Sequence, residues 1–112
     1  MADSSEQLKR IMAMKDSLMA KIKPELDEMQ GLLKSYVQNM LQENPDKYKH
    51  QQLDDKAIQK IGNVYRQITQ LFWNICASLS PEQKKQMLKT INQPSNNDFI
   101  NSFLNAVNSA VK

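Results

Sequence analysis

Seven apolar side chains between residues 58 and 79 fall into one unbroken three-four register: Ile58, Ile61, Tyr65, Ile68, Phe72, Ile75 and Leu79. That spacing returns a side chain to the same face of an α-helix at each step, and no strand period fits it. Val64, Leu71 and Cys76 widen the stripe, so the helix is expected to start near Leu53-Asp54-Asp55 and to contact several neighbours as a central element. At a rise of about 1.5 Å per residue it spans roughly 40 Å, more than a domain of this size is wide. A bend at Gly62 or a projecting end is therefore expected.

Flanking segments repeat the pattern. Ser4 or Ser5 is placed to cap a first helix running to about Lys23, with Leu8, Ile11, Met12, Leu18, Met19 and Ile22 on one side. Pro24 suits the first turn of a second helix because its missing N–H costs nothing there, and Glu25, Asp27 and Glu28 suit the positive end of a helix. A new helix at Pro24 is preferred to a kink. Its apolar face comprises Leu26, Met29, Leu33, Tyr36 and Met40, flanked by Leu32, Val37 and Leu41. Glu43-Asn44-Pro45-Asp46 ends it, and residues 44–52 read as a polar connection.

Ser80-Pro81-Glu82-Gln83 is a helix start in which Ser80 caps, Pro81 takes the first helical position and Gln83 reaches back to the cap. The helix carries Met87, Leu88 and Ile91 inward and stops at residues 92–96. Asn96 or Asn97 caps a fifth helix with Phe99, Ile100, Phe103, Leu104, Val107 and Val111 inward, and Asn97, Asn101, Asn105 and Asn108 on the other face. The expected fold is all-α: a compact bundle or orthogonal array of four to five helices with a long central third helix, the fifth closing over it and the first two forming an antiparallel hairpin. Residues 1–112 are expected to form a single helical domain.

Composition agrees with this and excludes several function classes. Two glycines and four prolines are too few for the turns of a sandwich or barrel. The formal charge of +3 is mild, with five Lys/Arg against two Asp/Glu in residues 61–112, and lacks the dense basic stripe of a protein that lives on phosphate backbones. Ten Asn and twelve Gln are spread through the helical patterns and read as uncharged polar faces. The first ten residues lack the features of a signal peptide, and no apolar run approaches a membrane span, so a cytoplasmic or nuclear location is expected.

Chemistry is constrained by inventory. Metal sites need several imidazole or thiolate ligands, and the chain holds one His and one Cys. His50 and Asp54 are four apart and would face each other only if the helix began early; His50 otherwise reads as a solvated loop residue. Asp54-Asp55 lacks the remaining ligands of a calcium loop. Cys76, between Phe72 and Leu79 on an apolar face, reads as an inert core thiol that forms no internal disulfide. Gly31 and Gly62 sit inside helical patterns, so no phosphate-binding loop is present. No catalytic residue, cofactor or metal site is expected.

What remains is binding. Arg66 and Trp73, seven apart on one helix, belong to the residue types most enriched at interface hot spots. Met12 and Met19 are likewise seven apart, with Met14, Met29 and Met40 nearby, and flexible thioethers suit adaptable grooves. The expected function is a non-enzymatic protein–protein interaction module, an adaptor, regulator or small subunit that binds another protein or itself through Arg66, Trp73, Met12 and Met19. The alternative is a small nucleic-acid-binding protein using Lys84, Lys85 and Lys89 on the helix after Ser80.

Overall fold

A computed structural model describes residues 4–91 and 99–112. Four α-helices account for most of them: α1 (Ser4–Met40), α2 (Lys47–Ala77), α3 (Pro81–Ile91) and α4 (Phe99–Val111), with no strand among the described residues. The stops and caps expected at residues 92–97 lie outside those residues. Backbone contacts gather the chain into two compact units, one of residues 16–71 and one of residues 1–15 with 72–112.

The unit of residues 16–71 is an antiparallel hairpin of α1 and α2. The buried and half-buried positions include Leu18, Ile22, Glu25, Met29, Leu32, Tyr36 and Asn39 on α1 and His50, Leu53, Ala57, Lys60, Val64, Gln67 and Leu71 on α2, with Ser35, Gly62 and Ile68 half-buried beside them. Both series alternate steps of three and four, the register of a coiled-coil seam. Pairings across it fix the alignment: the Tyr36 and His50 rings lie 4.7 Å apart, and Lys60 Nζ is 3.7 Å from Glu25 Oε2.

This seam corrects three expectations. Pro24 does not begin a helix; it sits inside α1, and the first two expected helices are one. A helix-interior proline costs about 3 kcal/mol through the lost hydrogen bond and the ring's clash with the preceding turn. Here the seam keeps its spacing from Ile22 through Glu25 to Met29, so interrupting the helix would forfeit contacts on both sides of the proline. The antiparallel hairpin is accordingly formed by α1 with α2. Second, α2 begins at Lys47, six residues before the expected Leu53, and continues unbroken through Gly62.

The early start has a visible cause. Asp46 Oδ1 accepts from the backbone N–H groups of Tyr48 (2.9 Å) and Lys49 (3.1 Å), the arrangement of an N-cap. Asn39, only 6% exposed, grips the same residue: its Nδ2 donates to the Asp46 carbonyl at 2.8 Å and its Oδ1 accepts the Asp46 N–H at 3.1 Å. One buried amide thus satisfies both backbone groups of the residue that starts the next helix.

The third correction concerns faces. Leu26, Leu33 and Met40 on α1, and Ile58, Ile61 and Tyr65 on α2, were expected inward and are exposed. They lie one stripe away from the seam.

In the other unit the core comprises Ile11, Ile75, Leu79, Met87, Phe103, Ala106, Val107 and Val111. Helices α3 and α4 pack on each other. Phe72 stacks at 4.3 Å on Phe103 and meets Phe99 edge-on at 6.4 Å. The capping pattern at Ser80 forms as the sequence implies: the Gln83 N–H donates to Ser80 Oγ (3.2 Å) and the Ser80 N–H to Gln83 Oε1 (2.8 Å). Gln7 and Gln83 exchange reciprocal amide hydrogen bonds at 2.9 and 3.0 Å, tying the start of α1 to this cap. Leu88, Phe99 and Ile100, expected inward, are exposed.

Because α1 runs through Pro24, Pro24→Ala restores a helical hydrogen bond and is expected to stabilise the protein by about 1–3 kcal/mol, less the entropy returned to the unfolded chain. Urea unfolding measures this. Unchanged or lowered stability would fit a helix that starts at Pro24.

Candidate functional site

Within the hairpin of residues 16–71 the seam divides two chemically different sides. In an antiparallel helix pair the positions that flank the seam on one helix share a side with the equivalent flanking positions of the other. One side is polar. Glu28, Ser35, Lys56, Gln59, Lys60 and Asn63 line a shallow groove there, together with Gly31 and the seam residue Leu32. Lys60 pairs with Glu28 and approaches Glu25, and its ammonium is held above the ordinary lysine value chiefly by the hydrogen bond to Glu28. Glu25 Oε2 is buried and has no hydrogen-bond partner among the described residues. These charges are solvent-screened, so the pairs add little to stability. Their main effect is on alignment, since a slip of the helices would separate them.

The opposite side is apolar. Met19, Leu26, Leu33 and Met40 follow at steps of seven along α1, with Val37 beside them, and Ile58, Ile61 and Tyr65 continue the surface on α2. All eight are exposed, between 46% and 68%. Only Lys23 and Gln30 interrupt the row on α1, and Asp54 borders it on α2. Large contiguous apolar patches are rare on monomeric proteins and mark places where another surface docks.

The residues singled out from the sequence fall as follows. Met19 belongs to this apolar side. Arg66 is exposed next to Tyr65, with its Nε donating to the Gly62 carbonyl at 3.5 Å and Nη2 to Asn63 Oδ1 at 3.2 Å. Met12 and Trp73 belong to the other unit and are exposed there, Trp73 by 74%. Lys84, Lys85 and Lys89 are exposed on α3. Cys76 is half-buried. His50 is helical and not in a loop, with Nε2 at 3.3 Å from Asp54 Oδ2 as the early start of α2 requires.

Of this apolar side, the sequence-based candidates include only Met19. Its signal was nonetheless present: the stripe Ile58, Ile61, Tyr65, Ile68 is a second three-four series on α2, one position after Ala57, Lys60, Val64 and Gln67. Two adjacent series on one helix give it two apolar faces, of which the seam with α1 covers one.

Among the described residues no group of three or more His, Cys, Asp or Glu could hold a metal ion, and no helix is long and apolar enough to cross a membrane. Comparison with protein-family models, with curated proteins and with solved structures finds no match.

Trp73 is the single tryptophan, so its environment is directly readable. Iodide is expected to quench the native protein's fluorescence almost as strongly as that of the unfolded chain. Trp73→Ala should change stability by no more than about 0.5 kcal/mol, as surface substitutions do. Protection from iodide, or a loss above about 2 kcal/mol, would place the ring in a core.

Proposed function

We propose that the chain is a non-enzymatic protein–protein interaction module, an adaptor, regulator or small subunit, that presents the apolar side of the α1–α2 hairpin to another protein. The observation that supports this reading is the row of eight exposed large apolar side chains on one side of a hairpin whose other side is charged. Apolar area is worth roughly 25 cal/mol per Å² when removed from water, and this side offers it without the cost of desolvating buried charge. Met19 and Met40 supply deformable contacts at the two ends of the row on α1, which lets the surface accept a partner that is not perfectly complementary. Tyr65 with its neighbour Arg66 gives the edge an amphipathic anchor and a cation of the kind that dominates binding energies at interfaces. Trp73 and Met12 lie in the other unit and are not required by this reading.

Nucleic-acid binding through Lys84, Lys85 and Lys89 gains nothing specific from the geometry. The three lysines sit on an eleven-residue helix whose exposed surface also includes Leu88.

Site-specific photo-crosslinking in the cell tests the proposal. A benzophenone side chain at position 61, on the apolar side, is expected to trap protein, and the same group at Asn63, on the polar side, is expected to trap none. Absence of a protein adduct at position 61, or equal yields at both positions, would contradict it.

A further inference from the structure

We infer that the partner seated on the apolar side of the hairpin is a second copy of this chain, so that two hairpins close into a four-helix bundle. The inference rests on the docking surface proposed above and adds its occupant. Four observations converge on a like partner.

The first is width. The surface runs across two helices lying side by side, so a single partner helix would leave one of them uncovered, whereas a second hairpin presents two helices of matching length. Four-helix bundles are built from such pairs, with helices about 20° from antiparallel around an apolar centre.

The second is area. Eight large side chains, each about half exposed, present on the order of 800 Å² if a large side chain carries about 200 Å². A standard specific interface buries about 800 Å² per partner, so one copy supplies what a stable dimer requires.

The third is charge. Residues 16–71 carry eight Lys/Arg and eight Asp/Glu, a net charge of zero at neutral pH with His50 uncharged. Two copies therefore approach without net repulsion between these units, and nothing in the unit's charge calls for a partner of opposite sign.

The fourth is precedent within the chain. The α2 stripe continues to Phe72 and Ile75, with Leu79 just beyond the helix end, and in the unit that contains them Ile75 and Leu79 are buried and the Phe72 ring packs on Phe99 and Phe103 of α4. Where this stripe is covered, another helix covers it.

A closed dimer has two-fold symmetry, so side chains at the middle of the contact meet their own counterparts. Ile58 and Leu33 lie towards the middle of the hairpin's length. Substituting both by lysine places like charges together in the assembled state, while in the monomer those positions are already 68% and 63% exposed and the fold should tolerate the change.

Sedimentation equilibrium of the full chain across a wide concentration range reads the result. The parent protein is expected to reach twice its monomer mass at micromolar concentration or below. Leu33→Lys with Ile58→Lys should weaken dimerisation at least a hundredfold with unchanged helical circular dichroism. Leu33→Gln with Ile58→Gln, a milder pair, should weaken it at least tenfold and decides the matter if the lysine variant does not fold. Ser35→Lys with Asn63→Lys, on the polar side, should leave the dimer intact. A parent protein that stays monomeric at hundreds of micromolar would overturn the second copy as occupant, and the docking surface would stand if position 61 still crosslinks to a different protein. A dimer that persists undiminished in the folded lysine or glutamine variants would place self-association elsewhere and overturn the inference as well.

Discussion

Two helices lying side by side share one line of contact, and in residues 16–71 each of them carries two lines of apolar side chains. That mismatch governs the rest of the hairpin. The seam takes Leu18, Ile22, Met29 and Leu32 against Leu53, Ala57, Val64 and Leu71, and it also absorbs Glu25, Asn39, His50, Lys60 and Gln67. Such polar positions make the seam specific in alignment and modest in apolar burial. The adjacent line, which carries as many Leu, Ile and Met side chains as the seam, is largely exposed to water.

The remaining unit shows the contrasting outcome with the same helix type. There α3 and α4 supply additional lines of contact, and Ile75, Leu79, Phe103 and Val107 are buried together. Local chemistry helps to hold those short helices: the reciprocal Ser80–Gln83 cap and the Gln7–Gln83 amide pair satisfy polar groups at the start of α3. The exposure of the hairpin's apolar side follows from the absence of equivalent covering helices within residues 16–71.

Much of this was legible in the sequence, and what was not has identifiable reasons. The all-helical class, the long stripe on α2, the cap at Ser80 and the inward set Phe103, Val107 and Val111 on α4 follow from periodicity and capping chemistry, which are local. The continuity of α1 is not legible locally, because local rules favour Pro24 at a helix start, whereas the seam that carries the helix through it depends on residues 30 or more positions away. The start of α2 was missed because its first turn, Lys47 to His50, projects mostly into solvent and shows no apolar period; Asp46 as cap was the available clue. The apolar side was hidden by an assumption that every periodic apolar residue faces a core. Periodicity establishes that Ile58, Ile61 and Tyr65 share a face; it is silent on whether the same chain covers that face.

The most direct measurement is residue-resolved solvent access to methyl groups, read by nuclear magnetic resonance with a soluble paramagnetic probe at high protein concentration. Leu88, exposed on α3 and outside the proposed contact, serves as the internal standard for full access. With the hairpins docked, the methyls of Leu26, Leu33, Ile58 and Ile61 are predicted to relax several-fold more slowly than those of Leu88, and in the Leu33→Lys with Ile58→Lys variant the difference at Leu26 and Ile61 should vanish. Relaxation of those four residues at the Leu88 rate at every concentration would contradict the account.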